Sequence, residues 1–257
     1  MKKKNSTVQR KKVKFDNKYL KDPKIKKIYL TFKKQLYSQI KNEKFCIGVS
    51  GGPDSLALAF LGKVFSKEFN SKFIALIIDH NLRKQSGIEA RKVKKILTKH
   101  KIRTKILTWK GKIPKSNIQF NARNIRYFLL NKECNKLNIK HLVLAHHEGD
   151  LIENFFIRLF RGSGLKGLSS LNIKRHSEDN ILNLIRPLIN TKKNELIYIS
   201  KKVFKFYLTD PSNFKEKFLR TRIRNYLDKF KLDGLDINKV KLTLSNLQSA
   251  NESINFY

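Results

Sequence analysis

Short apolar runs alternate with stretches whose apolar residues recur every three or four positions. The runs cover 45–49, 73–78, 104–109 and 141–145, with a weaker one at 181–185, and helical spacing covers 55–69, 87–100, 118–137 and 150–160. This alternation predicts βαβ units, hence an α/β fold: an open, mostly parallel sheet with helices on both faces, Rossmann-like in layout. Ahead of the first run, Asp22 reads as an N-cap, Pro23 as the first helical residue, and Ile25, Ile28, Phe32, Leu36 and Ile40 as one apolar stripe. After residue 190 the pattern gives a helix over 193–203, an extended piece over 206–209, a turn at 210–213 and a basic helix over 217–230. The stretch 232–257 reads as a further helix or a frayed tail.

In such sheets ligands bind beyond the carboxyl ends of the strands. The residues that fall there are Ser50 to Ser55, Asp79 and His80, Trp109, and His146 to Asp150. Asp79 is read equally as a helix cap and as a site residue. Three segments follow from the pattern: a basic disordered arm at 1–20, an α/β domain at 21–215 and a basic helical segment at 216–257.

Composition then narrows the class of partner. Lys and Arg number 57 against 20 Asp and Glu, a formal net charge of +37, which favours a large polyanion. A genome rich in A and T inflates lysine, but does not by itself remove carboxylates. The two cysteines, Cys46 and Cys134, form no CxxC pair, so neither a disulfide framework nor a cysteine zinc site is expected. No apolar h-region follows the lysines of residues 1–28, and no run approaches a membrane span, so a soluble, cytoplasmic protein without a membrane partner is expected.

The chemistry concentrates at "SGGPDS", residues 50–55. A strand ending at Val49 and a helix starting near Ser55 leave Ser50, Gly51, Gly52, Pro53 and Asp54 as a turn. Its glycines let backbone approach a ligand, and the helix start directs N–H groups at it, which makes a phosphate cradle. The spacing is not that of a Walker A loop. Asp54 beside phosphate calls for a bridging Mg2+. Elsewhere, Asp150 and Glu153 share one helix face, and Arg123 and Arg126 suit the charge of a phosphoryl transition state. "GSGLKG" (162–167) fits a dinucleotide spacing but follows a helix instead of a strand, so NAD is not expected.

The "SGGPDS" loop resembles the SGGxDS loop of the PP-loop, or N-type, ATP pyrophosphatases. With "DHNLRKQSGIEA" (79–90), "NARNIRY" (121–127), "AHHEGDLIENFFIRLFRGSGLKGL" (145–168), "IRPLI" (185–189) and "TDPSNFKEKFLRTRIRNYL" (209–227) it resembles the tRNA(Ile)-lysidine synthase family over about residues 45–228. The resemblance implies an ATP-dependent ligase. ATP adenylates the wobble cytidine of tRNA(Ile) with a CAU anticodon, and free L-lysine displaces AMP to give lysidine. It assigns Ser50, Gly51, Gly52, Pro53, Asp54, Ser55, Asp79 and Gly162 to ATP and Mg2+. It assigns catalysis to Asp54 and Arg123, and lysine or tRNA contact to His146, Asp150, Glu153, Arg126, Arg161, Arg220 and Arg222, with Gly164 and Arg224 also candidates. His146 is read equally as a structural residue of the strand–helix junction.

Three positions depart from the family pattern: Gly149 and Leu151 stand where paired aspartates followed by glutamine continue, and Thr221 replaces the usual Asn. Family members often carry further C-terminal domains that grip tRNA, a grip the basic arm and net charge are expected to supply here. The competing readings are a PP-loop tRNA thiolation enzyme, which generally needs clustered cysteines, and a basic RNA-binding protein that has lost catalysis.

Overall fold

The computed structural model describes residues 18–81, 85–111, 116, 118–176, 182–209 and 219–256. Strands β1 (Phe45–Val49), β2 (Phe73–Asp79), β3 (Thr104–Thr108), β4 (His141–Val143), β5 (Lys174–His176) and β6 (Asn183–Ile185) form one sheet in the order β3-β2-β1-β4-β6-β5. The pairings are parallel except that of β5 with β6, so the expected open, mostly parallel sheet is present with one antiparallel edge. β5 was not expected, because its Lys-Arg-His sequence carries no apolar run and its place is fixed only by pairing with β6.

The chain moves outward from β1 to β2 and β3, then returns to place β4 on the other side of β1. That reversal opens a crevice at the carboxyl ends of β1 and β4, where open α/β sheets bind ligands.

Helices α1 (Pro23–Ile40), α2 (Pro53–Glu68), α3 (Ser86–Lys99) and α7 (Lys193–Phe204) cover one face of the sheet, sharing a core with Phe45, Ile47, Ala75 and Ile77. The alternate residues Cys46, Ile74 and Leu76 point to the other face. They meet Leu130 and Cys134 of α4 (Ile118–Lys136). Apolar residues on both faces explain why these strands read as continuous runs.

α1 begins as its sequence dictates: Asp22 Oδ1 accepts from the N–H groups of Lys24 and Ile25 at 3.0 and 3.2 Å, and Pro23 fills the first turn. Residues 18–20 depart from the expected arm. They open a 3-10 turn (Lys18–Lys21), and Tyr19 packs edge-on against Phe60 at 5.7 Å between ring centres. The rest of the expected arm, 1–17, lies outside the described residues.

A third core joins α5 (Glu148–Leu159) to α8 (Leu219–Leu232) and α9 (Ile237–Phe256) through Ile152, Phe155, Ile223, Leu227, Val240 and Leu244. The basic C-terminal segment is thus packed on α5, the helix that carries Asp150 and Glu153. The alternatives left open for 232–257 resolve as helix α9. No strand forms over 206–209, yet Leu208 N–H donates to Gly51 O at 2.9 Å and ties this piece to the glycine turn.

Candidate active site

The turn between β1 and α2 is held from inside. Ser55 Oγ accepts from the backbone N–H of Ser50 and Gly51 at 3.2 and 3.1 Å and donates to Gly52 O at 3.0 Å. Ser55 is buried, and this hydroxyl shapes the loop from inside. Ser50 keeps the outward place, with its hydroxyl 3.3 Å from Ser55 Oγ.

Gly51 has φ +87°, and a Cβ there would fall 2.5 Å from Val93 Cγ2 and 2.8 Å from Leu208 Cδ1. Both conformation and space require glycine. Gly52 is the N-cap position and Pro53 the first residue of α2, so the helix starts two residues earlier than the apolar pattern indicates. Asp54 therefore lies in the first turn, aimed into the crevice. Its Oδ1 is buried and has no hydrogen-bond partner. Burial raises its pKa above the ordinary carboxylate value, against the lowering effect of His147 and Lys193.

The junction from β4 to α5 faces this turn. His147 is buried and caps α5: its Nδ1 accepts from Gly149 N–H at 3.0 Å, while Asp150 Oδ2 accepts from His147 N–H at 3.0 Å. With Nδ1 an acceptor, the ring proton resides on Nε2. That nitrogen stands 3.8 Å from Asp54 Oδ2 and 3.7 Å from Asp150 Oδ2, between the two carboxylates. Burial opposes ionisation of Asp150, but His147, His146, the His147 N–H and Arg220 together hold its pKa below the usual value.

Gly149 belongs to this geometry. A Cβ at this position would lie 2.8 Å from Cε1 and 3.1 Å from Nδ1 of His147.

His146 accepts a hydrogen bond at Nδ1 from Arg186 Nε at 3.2 Å, and Arg186 in turn donates to Asn172 O at 3.0 Å. Burial pushes the His146 pKa down to about 3; Arg186, Arg123 and Arg220 add to the shift and Asp150 opposes it. This imidazole is neutral. Arg186 lies within "IRPLI" and is buried; the sequence gives it no role, because nothing in a strand–proline run signals contact with a histidine forty residues earlier.

Glu153 and Asp150 lie on one side of α5 but are engaged differently. Glu153 Oε1 accepts from Arg224 Nε at 2.8 Å and lies 2.7 Å from its Nη2, linking α5 to α8. Burial raises the Glu153 pKa more than Arg224 lowers it. A cleft of about 260 Å³ opens beside this pair, lined by acids Glu148, Glu153 and Asp228 and bases Lys192, Lys193 and Arg224.

Other expected residues divide. Asp79 Oδ1 accepts from Asn81 N–H at 3.0 Å and from the Ser86 hydroxyl at 2.7 Å, which ties the end of β2 to the start of α3, whose N-cap is Gln85. Arg123 is exposed on α4 with its guanidinium 5.0 Å from the Tyr127 ring centre, and its charge reaches His146. Arg126 is exposed beside His80, whose pKa burial pushes down to about 4 with help from Arg126.

Arg220 acts electrostatically on His146, Asp150 and Glu153. Arg222 is half a helical turn away and exposed, so α8 brings Arg220 and Arg224 to this side and not Arg222. Gly162 (φ +64°) and Arg161 follow the C-terminal end of α5, about 18 Å from the end that His147 caps. Gly162 N–H donates to Leu159 O at 3.0 Å, a helix-ending role. Gly164 N-caps the short helix α6 (Leu165–Leu168).

A parallel sheet with a glycine turn entering a helix N-terminus, faced by acids across the β1/β4 crevice, defines a phosphate-handling α/β protein of the PP-loop class. The chain belongs to the PP-loop domain family, whose model matches residues 25–230. It is similar to tRNA(Ile)-lysidine synthase of Orientia tsutsugamushi (strain Boryong), with 44% identity over 188 residues that cover 73% of this chain and 42% of the relative. Similarity to the synthase of Bradyrhizobium diazoefficiens is 33% over 224 residues, covering 86% of this chain and 62% of the relative. The chain thus spans about half the length of these curated relatives. Its fold is also that of the U34-tRNA thiolase NcsA from Methanococcus maripaludis, at a TM-score of 0.72 and 19% identity over 90% of this chain and 78% of the other.

Proposed function

We propose that the chain is a tRNA(Ile)-lysidine synthase that uses ATP to adenylate the wobble cytidine of a CAU-anticodon tRNA(Ile) and then joins free lysine to it. The observation that carries this reading is the meeting of the glycine turn, Asp54 and Asp150 in one crevice, together with the similarity to curated lysidine synthases.

Ser50, Gly52 and the first amides of α2 hold the ATP phosphates. Asp54, with its unpartnered buried Oδ1, suits a carboxylate that holds Mg2+ through ATP. When bound, Mg2+ offsets the phosphate charge that Asp54 would otherwise repel. The C2 oxygen of the cytosine attacks the α-phosphorus and pyrophosphate leaves; the lysine amine then attacks C2 and AMP leaves.

Arg123, exposed on α4, meets the charge on the α-phosphate. Asp150, held ionised by its neighbours, receives the lysine ammonium. His146, neutral and with Nδ1 engaged, offers Nε2–H as a donor at the cytosine. The mixed acids and bases of the adjoining cleft suit a zwitterion. Glu153 enters with Arg224 already as its partner, so its part is to fix α8 over the site. Arg126, Arg161 and Arg220 contact tRNA phosphates.

The fold it shares with a thiolase does not favour sulfur transfer. Cys46 and Cys134 are both fully buried, in β1 and α4, away from the crevice. The test is release of pyrophosphate and AMP from ATP with the tRNA present, with and without lysine. Lysine-dependent AMP release that falls at least ~100-fold in Asp54→Ala is expected. AMP release that ignores lysine contradicts the reading.

A further inference from the structure

Beside the crevice lies a surface that the proposed chemistry leaves unused. Trp109 follows the edge strand β3 and meets Phe128 of α4 edge-on, with ring centres 6.1 Å apart and planes at 90°. A Cβ on Gly111 would fall 2.3 Å from the Trp109 ring, so the chain folds directly against the indole and fixes its position. Phe128 is 55% exposed, and Phe120, about 12 Å nearer the start of α4, is 65% exposed.

Exposed aromatic rings gathered on one surface mark an interaction site. Their surroundings indicate what binds. Arg123 and Arg126, both exposed, lie between the two phenylalanines in the sequence of α4, and Lys132 and Lys136 follow. The helix has one acid, Glu133, which is buried and paired with Lys105 at 2.7 Å. Flat apolar rings set among cations match bases and phosphates at once, whereas an apolar protein partner needs no such charge. Arg123 and Arg126 also act electrostatically on His146 and His80, so the helix that carries the rings reaches toward the crevice.

We propose that Trp109, Phe120 and Phe128 form a stacking platform for unpaired bases of an RNA loop, next to the point where one base enters the crevice. The choice of RNA rests on the tRNA reading above.

Trp109 is the single tryptophan of the chain and reports directly on stacking. The full chain is titrated with a stem–loop RNA and with a blunt duplex of equal phosphate count, following tryptophan emission. The loop is expected to quench emission, and Phe120→Ser and Phe128→Ser are each expected to weaken loop binding about tenfold while leaving duplex binding unchanged. Equal weakening on both RNAs, or no quenching, overturns the platform. So does self-association that both variants abolish while loop binding persists, because the face then joins two copies of the chain.

The outcome separates from that of the tRNA reading. Loop-selective quenching without lysine-dependent modification keeps the platform and removes the synthase. Modification at full rate by both variants, with unaltered loop affinity, does the reverse.

Discussion

Gly149 and His147 act as one unit. The family pattern favours an aspartate at position 149, but here the Gly149 N–H donates to His147 Nδ1, and any side chain at 149 starts within 2.8 Å of that ring. Gly149→Asp is therefore expected to displace the cap and lower the melting temperature by about 2–4 °C instead of improving the site. A thermal scan decides this, and a variant at least as stable as the parent contradicts the geometry. His80 gives a second expectation. It binds a proton near pH 6.5 when unfolded but only near 4 when folded, so the unfolded chain holds more protons between those values. Stability is thus full above about pH 6.5 and is lost as pH falls toward 4. His80→Asn is expected to flatten part of that fall in melting temperature against pH, while the buried His146 retains its share. At this scale "SGGPDS" was legible because its glycines and helix start leave few alternatives. The inward turn of Ser55 and the place of His147 between two carboxylates were not, because both depend on side-chain rotamers set by tertiary packing.

Between elements, the joint of α5 and α8 is held by an ion pair. Glu153 has a side chain only 7% exposed and Arg224 one 37% exposed. Removing the cation leaves a buried carboxylate without a partner. Arg224→Met is expected to cost about 2 kcal/mol, less than a fully buried pair because Arg224 is partly solvated. Arg224→Met with Glu153→Gln is expected to recover most of that loss in chemical denaturation; additive losses contradict the pairing. The strands β1 to β4 and the helices between them were legible from apolar periodicity, to within a few residues at each end. β5 was hidden because three polar residues at an edge have no pattern. α9 was ambiguous because its leucines, such as Leu244, find their partners only when α5 and α8 are in place.

For the whole molecule, charge and fold point to the same use. A net +37 favours a polyanionic partner, and the return of the chain to β4 brings the glycine turn and Asp150 to one crevice. Alternation predicted the parallel sheet but not its strand order, since order depends on crossovers that leave no local trace. That order is what brings Asp54 and Asp150, 96 positions apart by their numbers in the sequence, to either side of one imidazole. The most direct test is mass analysis of a CAU-anticodon tRNA(Ile) transcript incubated with the protein, ATP, Mg2+ and lysine. The account predicts a gain of one lysine, less water, at the wobble cytidine, lost in Asp54→Ala and when lysine is omitted. An unchanged transcript that still binds the protein would contradict it and leave an RNA-binding protein in its place.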